Sequence, residues 1–196
     1  MFNEMEYYDE QFKGLKLAGE RLESIKFYDC TFTDCDFSEA EWDGVKFSGC
    51  SFMHCDLNMI KVADCQLKQV SFTQCRLVGI DWTEADWPRI KSPKLLAFED
   101  CILNHSTFIG VALPQCVIKQ CMAKDVDFRQ ADLTQADLRE TDFSESVFGD
   151  TNLTSANFSK ASHYQIDPSR NAIKNAIFTL PEAIALLYSM EIQLEE

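Results

Sequence analysis

The sequence predicts an all-β solenoid of square coils with a short C-terminal α-helix. Two columns of residues carry that prediction. A bulky apolar residue recurs every five positions, first through Phe12, Leu17, Leu22, Phe27, Phe32 and onward to Trp87, then through Phe98, Leu103, Phe108 and onward to Phe158. Two residues before each of these, from Ile25 on, stands a small or aliphatic residue, and this second column holds all nine cysteines. A period of five fits neither a helix, at 3.6, nor a plain strand, at 2.0. It requires a backbone that turns once per five residues. Four such units close a coil of twenty residues, with two side chains of each unit inside and three outside. Successive coils then stack as parallel strands about 4.8 Å apart.

The N-terminal stretch "MFNEMEYYDEQF" is acidic and has no apolar signal-type region, and no run of 18 apolar residues follows anywhere. These features predict a soluble, unexported, cytoplasmic protein with no membrane partner. Glu10 and Glu20 fall in the small column and suggest a polar cap on the open end of the rod. Within the first run, Phe12, Phe32, Phe52 and Phe72 are predicted to stack as one interior ladder; in the second run, Phe108, Phe128 and Phe148 form another. Between the runs the phase slips inside "PRIKSPKLLA" (88–97): from Trp87 to Phe98 is one residue more than two repeats. This basic segment reads either as a kink or as a modest loop. Just beyond it, Ile102, Ile109, Val117 and Met122 occupy outward positions and suggest an apolar partner contact.

The periodic domain spans 1–165, with His163 in its last central position, and 166–196 forms a capping and dimerisation module. Pro181 and Glu182 suit the first turn of a helix. Ala183, Leu186, Leu187 and Met190 then make one apolar stripe. Met190, Ile192 and Leu194 alternate with polar residues as in a short strand. A cap with spare apolar surface invites a symmetric partner, so Leu186, Leu187, Met190, Ile192 and Leu194 are the expected homodimer interface.

The stretch "CSFMHC" (50–55) looks at first like a metal site. The register removes that reading, because Cys50 and Cys55 point inward on adjacent faces while His54 sits at an outward corner, and tetrahedral zinc needs convergent ligands. An odd number of cysteines in a cytoplasmic chain predicts free thiols acting as small buried hydrophobes. His54 and His105 are outward, no phosphate loop or nucleophile motif occurs, and a filled solenoid has no interior pocket. No enzyme activity, cofactor or metal is therefore expected.

The formal net charge is −14, which repels nucleic acid and anionic membranes and would attract a partner protein that normally binds DNA. Asp36 and Asp56 should stack on one face, where Arg76 interrupts them. Asp127, Asp132, Asp137 and Asp142 should ring a single coil, one per face. All six serve either the repeat itself or an acidic partner-binding surface.

"ADLTQ ADLRE TDFSE" (131–145) resembles the pentapeptide-repeat consensus A-(D/N)-L-x-x, and the resemblance runs from about residue 10 to 162. It implies a right-handed quadrilateral β-helix. With the ending "IDP…N…I…PEA…LL…MEI", the chain further resembles the topoisomerase-protecting members of that family, the quinolone-resistance Qnr type and the immunity proteins for microcin B17 and albicidin. That resemblance implies a head-to-head homodimer that imitates duplex DNA, binds DNA gyrase or topoisomerase IV, and shields it from poisons such as quinolones or peptide toxins. The short break at 88–97 places the chain nearer the loop-poor immunity proteins. A stack at about 4.8 Å per coil carries far less charge than DNA, which has one per about 1.7 Å, so any mimicry is partial and depends on placement. The other reading is an interaction scaffold for a different protein.

Overall fold

The computed structural model describes residues 2–90, 92–193 and 195. The chain is wound into a stack of square coils whose four faces are parallel ladders. On the first face the column runs Gln11, Thr31, Ser51, Ser71, Ala97, Val117, Asp137, Asn157 and Ile177. The second face carries Lys16, Asp36, Asp56, Arg76, Ile102, Met122, Asp142 and Ser162. The third includes Arg21, Glu41, Lys61, then Asp81, Thr107 and Asp127. The fourth begins with Glu6, Lys26, Lys46 and Gln66 and resumes with Ala112, Asp132 and Asn152. Stacked residues are twenty apart in sequence, as the period of five demands.

The core is the predicted pair of columns. Phe12, Phe32, Phe52 and Phe72 stack with ring centroids 4.7–5.1 Å apart, and the ladder continues across the register break to Phe98 at 5.1 Å. On the third face Trp82, Phe108, Phe128 and Phe148 stack at 5.2–5.6 Å. Such stacked and edge-to-face rings add attraction beyond their buried area. The open N-terminal end is closed by Phe2, whose ring packs against Tyr7, Phe12 and Phe27, while Glu10 and Glu20 remain exposed. The cap is thus apolar, because only an apolar ring can cover exposed phenylalanines.

Each coil turns at a residue two after the central one, and that residue takes the left-handed conformation, as at His54 (φ 53°), Gln135 (φ 57°) and Glu140 (φ 60°). Left-handed backbone is uncommon outside glycine. Here its amide is aimed at the next coil, and the Gln135 N–H donates to the Thr154 carbonyl at 2.8 Å.

All nine cysteines are free and buried, but they are more than small hydrophobes. The Cys35, Cys55, Cys75 and Cys101 amides each donate to the sulfur of the stacked cysteine one coil on, at 3.4 Å. Each of these sulfurs also donates to a carbonyl of the preceding coil, for example Cys75 to Phe52 at 3.4 Å. Ser106 and Thr141 do the same with hydroxyls. The small column therefore satisfies backbone groups that would otherwise lie buried and unpaired.

Two places depart from the expected register. Val70 pairs with Leu96, so one coil has twenty-six residues instead of twenty. The break at 88–97 is a loop. It leaves the coil after Trp87, whose indole donates to the Trp82 carbonyl at 2.7 Å, and rejoins at Lys94, whose amide bonds to the Pro114 carbonyl. Near the C-terminus Val147 pairs with Gln165, two residues short of a full coil. His163 is exposed with φ 56°, and Tyr164 takes the core position in its place. The tyrosine ring fills the core space with apolar surface, packing against Phe158 and Phe178 at 5.6 and 5.5 Å, although its buried hydroxyl has no hydrogen-bond partner among the described residues.

The ladder does not stop at 165, because Asn152 pairs with Ala172 and Asn157 with Ile177. The expected helix is short, a 3-10 turn over Glu182–Ile184 leading into an α-helix over Ala185–Tyr188. Residues 189–191 form a turn, not the expected strand, with the Ile192 amide bonded to the Leu187 carbonyl. Among the described residues, no strand or bridge pairs with this stretch. Leu194 lies outside the described residues.

Burial pushes the Cys65 and Cys116 thiols up to about 12, so thiolate is scarce at neutral pH. A thiol reagent near pH 8 is expected to leave the native protein unmodified and to label all nine cysteines after denaturation, as read by mass spectrometry. Cys75→Ala removes the acceptor for the Cys55 amide and the donor to Phe52 and is expected to cost about 1–3 kcal/mol. Cys75→Ser keeps both bonds and should cost less, as measured by chemical denaturation.

Candidate partner-binding surface

The six predicted aspartates all occupy the position before a central residue, and all are half-buried. Asp36 Oδ1 accepts from the Ser38 amide (3.2 Å) and hydroxyl (2.7 Å). Asp56, Asp127, Asp132, Asp137 and Asp142 each accept the amide two residues on, at 3.0–3.3 Å. One oxygen of every aspartate is thus spent on closing its own turn. Asn152 and Asn157 do the same at equivalent positions, so the turn needs the acceptor and not the charge. This is the physical origin of the D/N preference.

What remains of each charge differs. Asp127 and Asp137 are paired with Arg129 and Arg139 at 2.6 Å, and Asp142 with His163 at 2.9 Å. Asp36 has no ion-pair partner within 4.0 Å among the described residues, and Asp56 meets Arg76 only at 3.9 Å. The predicted ring exists, since Asp127, Asp132, Asp137 and Asp142 fall on the third, fourth, first and second faces in turn. A ring cannot present one surface. A stripe along a face can, and Asp36, Asp56 and Asp142 share the second-face column.

Position counting alone did not assemble the flanks of that stripe. One edge of the second face carries Asp34, Asp100 and Glu140 at its left-handed corners, and the other carries Glu39, Asp125 and Glu145. All six are exposed. They share corner columns with other left-handed residues such as His54, Gln74 and Gln120 on one edge and Met59, Gly79 and His105 on the other, and the columns line up only once the coil length across the break is known. The second face with its corners is an acidic strip, interrupted in its middle by Arg76, Ile102 and Met122, and four of its corner acids, Asp34, Asp125, Glu140 and Glu145, stand within 4.0 Å of a lysine or histidine.

The predicted apolar patch is divided. Ile102 and Met122 stack on the second face, but Val117 lies on the first and Ile109 on the third. At the C-terminal end, Leu187, Met190 and Ile192 are exposed beside Leu180 and Tyr188, whereas Leu186 packs on the core. Cys50 and Cys55 are buried and His54 is exposed, bonded to Gln74 at 2.6 Å. No helix among the described residues is long and apolar enough to cross a membrane.

A filled square β-solenoid that offers its chemistry as columns of outward side chains is a repeat protein of the pentapeptide type. Two family models agree: a pentapeptide repeat region matches residues 25–92 and pentapeptide repeats match residues 124–159, together more than half of the chain. The chain belongs to the pentapeptide-repeat family. Its structure is similar to that of QnrB1, a plasmid-mediated fluoroquinolone resistance protein, in a trypsin-treated form, with a TM-score of 0.72 at 17% identity over 97% of this chain and 98% of that one. Full-length QnrB1 gives a TM-score of 0.61 at 19% identity, over 95% and 100%. HetL, involved in heterocyst differentiation regulation in the cyanobacterium Nostoc sp. strain PCC 7120, gives 0.69 at 15% identity over 90% and 86%. No curated protein matches the chain by sequence.

The Ser38 hydroxyl holds the Asp36 carboxyl below its usual range, and the Arg139 guanidinium does the same for Asp137. Carboxylates whose folded pKa is depressed stabilise the fold above their unfolded value, about 3.9, and lose that contribution as pH falls through the folded value. Melting temperature is expected to be flat from neutral pH to about 5 and to fall steadily below about 4. Ser38→Ala should bring the Asp36 titration back toward the ordinary carboxylate range, read by carboxyl NMR.

Proposed function

We propose that the chain is a DNA-mimicking protein that binds a type II topoisomerase, DNA gyrase or topoisomerase IV, and protects it from poisons such as quinolones or peptide toxins. The observation that carries this reading is the end-to-end likeness to QnrB1, which covers the C-terminal module as well as the coils. Generic repeat rods need not share that module. The acidic second face supports it, since a strip of carboxylates on a narrow rod is the feature a DNA-binding groove would engage. The protein would act in the cytoplasm, as a homodimer, without contacting nucleic acid itself. Leu187, Met190 and Ile192 are exposed at the end of the rod, and pairing two such ends would double the length of the acidic strip.

The test is gyrase supercoiling with and without a quinolone, titrated with the protein. Restored supercoiling or fewer cleaved complexes is expected. Asp36→Asn combined with Asp56→Asn keeps both turns and removes two charges, and should weaken the effect about tenfold while the chain stays folded, as checked by circular dichroism. No effect on either topoisomerase at tens of micromolar protein would overturn the proposal. Light scattering is expected to give a dimer, and Leu187→Glu a monomer, because a buried unpaired carboxylate in an apolar interface is costly. The similar fit to HetL favours a second reading, a scaffold for a different protein partner. Dimerisation with no topoisomerase effect would support it.

A further inference from the structure

The loop that enlarges one coil folds back over the fourth face, opposite the acidic strip. Together with that face it makes a cleft of about 330 Å³ lined by Pro88 and Leu95 from the loop side and by Lys46, Leu67, Lys68 and Asp86 from the coils. The protein has 32 acidic residues to 18 basic ones, so the position of each basic side chain relative to carboxylates bears on where an anion can dock. Arg21, Lys26, Lys61, Lys124, Arg129 and Arg139 all have one within about 3 Å. Lys46 and Lys68 have none within 4.0 Å among the described residues; Lys46 lies over the Tyr28 ring, at 5.4 Å. Arg89 and Lys94 on the loop are likewise exposed and have no carboxylate within 4.0 Å among the described residues. The one carboxylate in the cleft, Asp86, accepts from the Gln66 amide at 2.9 Å. At the loop tip Ile90 is 83% exposed.

We propose that this cleft docks a short acidic segment of a protein partner. A carboxylate of that segment would engage the Lys46 and Lys68 ammonium groups, and an apolar neighbour would lie against Pro88. The volume is at the low end of ligand sites and suits one or two side chains, not a bare ion. Charge complementarity argues for the acidic segment: these are unneutralised cations on an otherwise anionic protein. Duplex DNA fits poorly, because the net charge of −14 repels a polyanion at long range. The inference does not depend on topoisomerase binding, since it concerns the opposite face.

The probe is a fluorescein-labelled peptide of alternating Glu and Leu, followed by fluorescence polarisation against the full chain. Saturable binding that weakens with added salt is expected. Lys46→Glu and Lys68→Glu should each lower affinity about tenfold. Lys119→Glu makes the same charge change on the first face and should alter it less than about twofold. Circular dichroism checks that each variant is folded. Absence of saturable binding, or an equal loss from Lys119→Glu, overturns the proposal. So does tighter binding of a DNA duplex through Lys46 and Lys68, which would make the cleft a phosphate site.

Discussion

The parallel ladder between successive coils constrains everything else in this molecule. Each coil must hand its amides and carbonyls to the coils on either side, so stacked residues share an environment and a chemistry. Phenylalanines stack on phenylalanines because one face of the interior has one width. Cysteines stack on cysteines because one small polarizable group can accept an amide from one coil and donate to a carbonyl of another. The same constraint fixes the surface. An outward side chain belongs to a column, and a column of like charges is a feature of the rod as a whole.

Local structure and surface charge compete for the same aspartates. The position before each central residue needs a side-chain acceptor to close its turn, and either Asp or Asn supplies one. Where Asp is used, a charge comes with it, and the neighbouring residue decides its fate. At Asp127 and Asp137 an arginine cancels it; at Asp36 no cation lies within 4.0 Å among the described residues, and at Asp56 Arg76 stands at 3.9 Å. The charge pattern of such a scaffold is therefore set by which aspartates are not compensated, together with the corner residues that make no turn bond of their own.

The loop at 88–95 has a consequence for both faces. Because it absorbs six residues beyond a full coil and restores the ladder, the aromatic stack passes through it without a gap, from Phe72 to Phe98. The core is continuous while the surface is not. The second-face strip loses its aspartates just there, at Arg76, Ile102 and Met122, and the fourth face gains a cleft lined by two unpaired lysines. One short insertion thus gives a uniform rod two chemically different sides.

The sequence by itself determined the fold, the coil length and both interior ladders, because a five-residue period in two columns admits only one way of placing bulky and small side chains inside. It also determined that Cys50, Cys55 and His54 do not converge. Only the tertiary structure decided what the break at 88–97 is, since a phase slip of one residue is equally a kink or a whole extra unit plus one, and the two differ only in which coils pair across it. That choice sets the alignment of every column on either side. It assembled Asp34, Asp100 and Glu140 with Glu39, Asp125 and Glu145 around the second face, and it scattered Ile102, Ile109 and Val117 over three. The exchange of His163 for Tyr164 and the inward turn of Leu186 were likewise settled by packing at the end of the rod, where the period fades and only the space available decides which side chain enters.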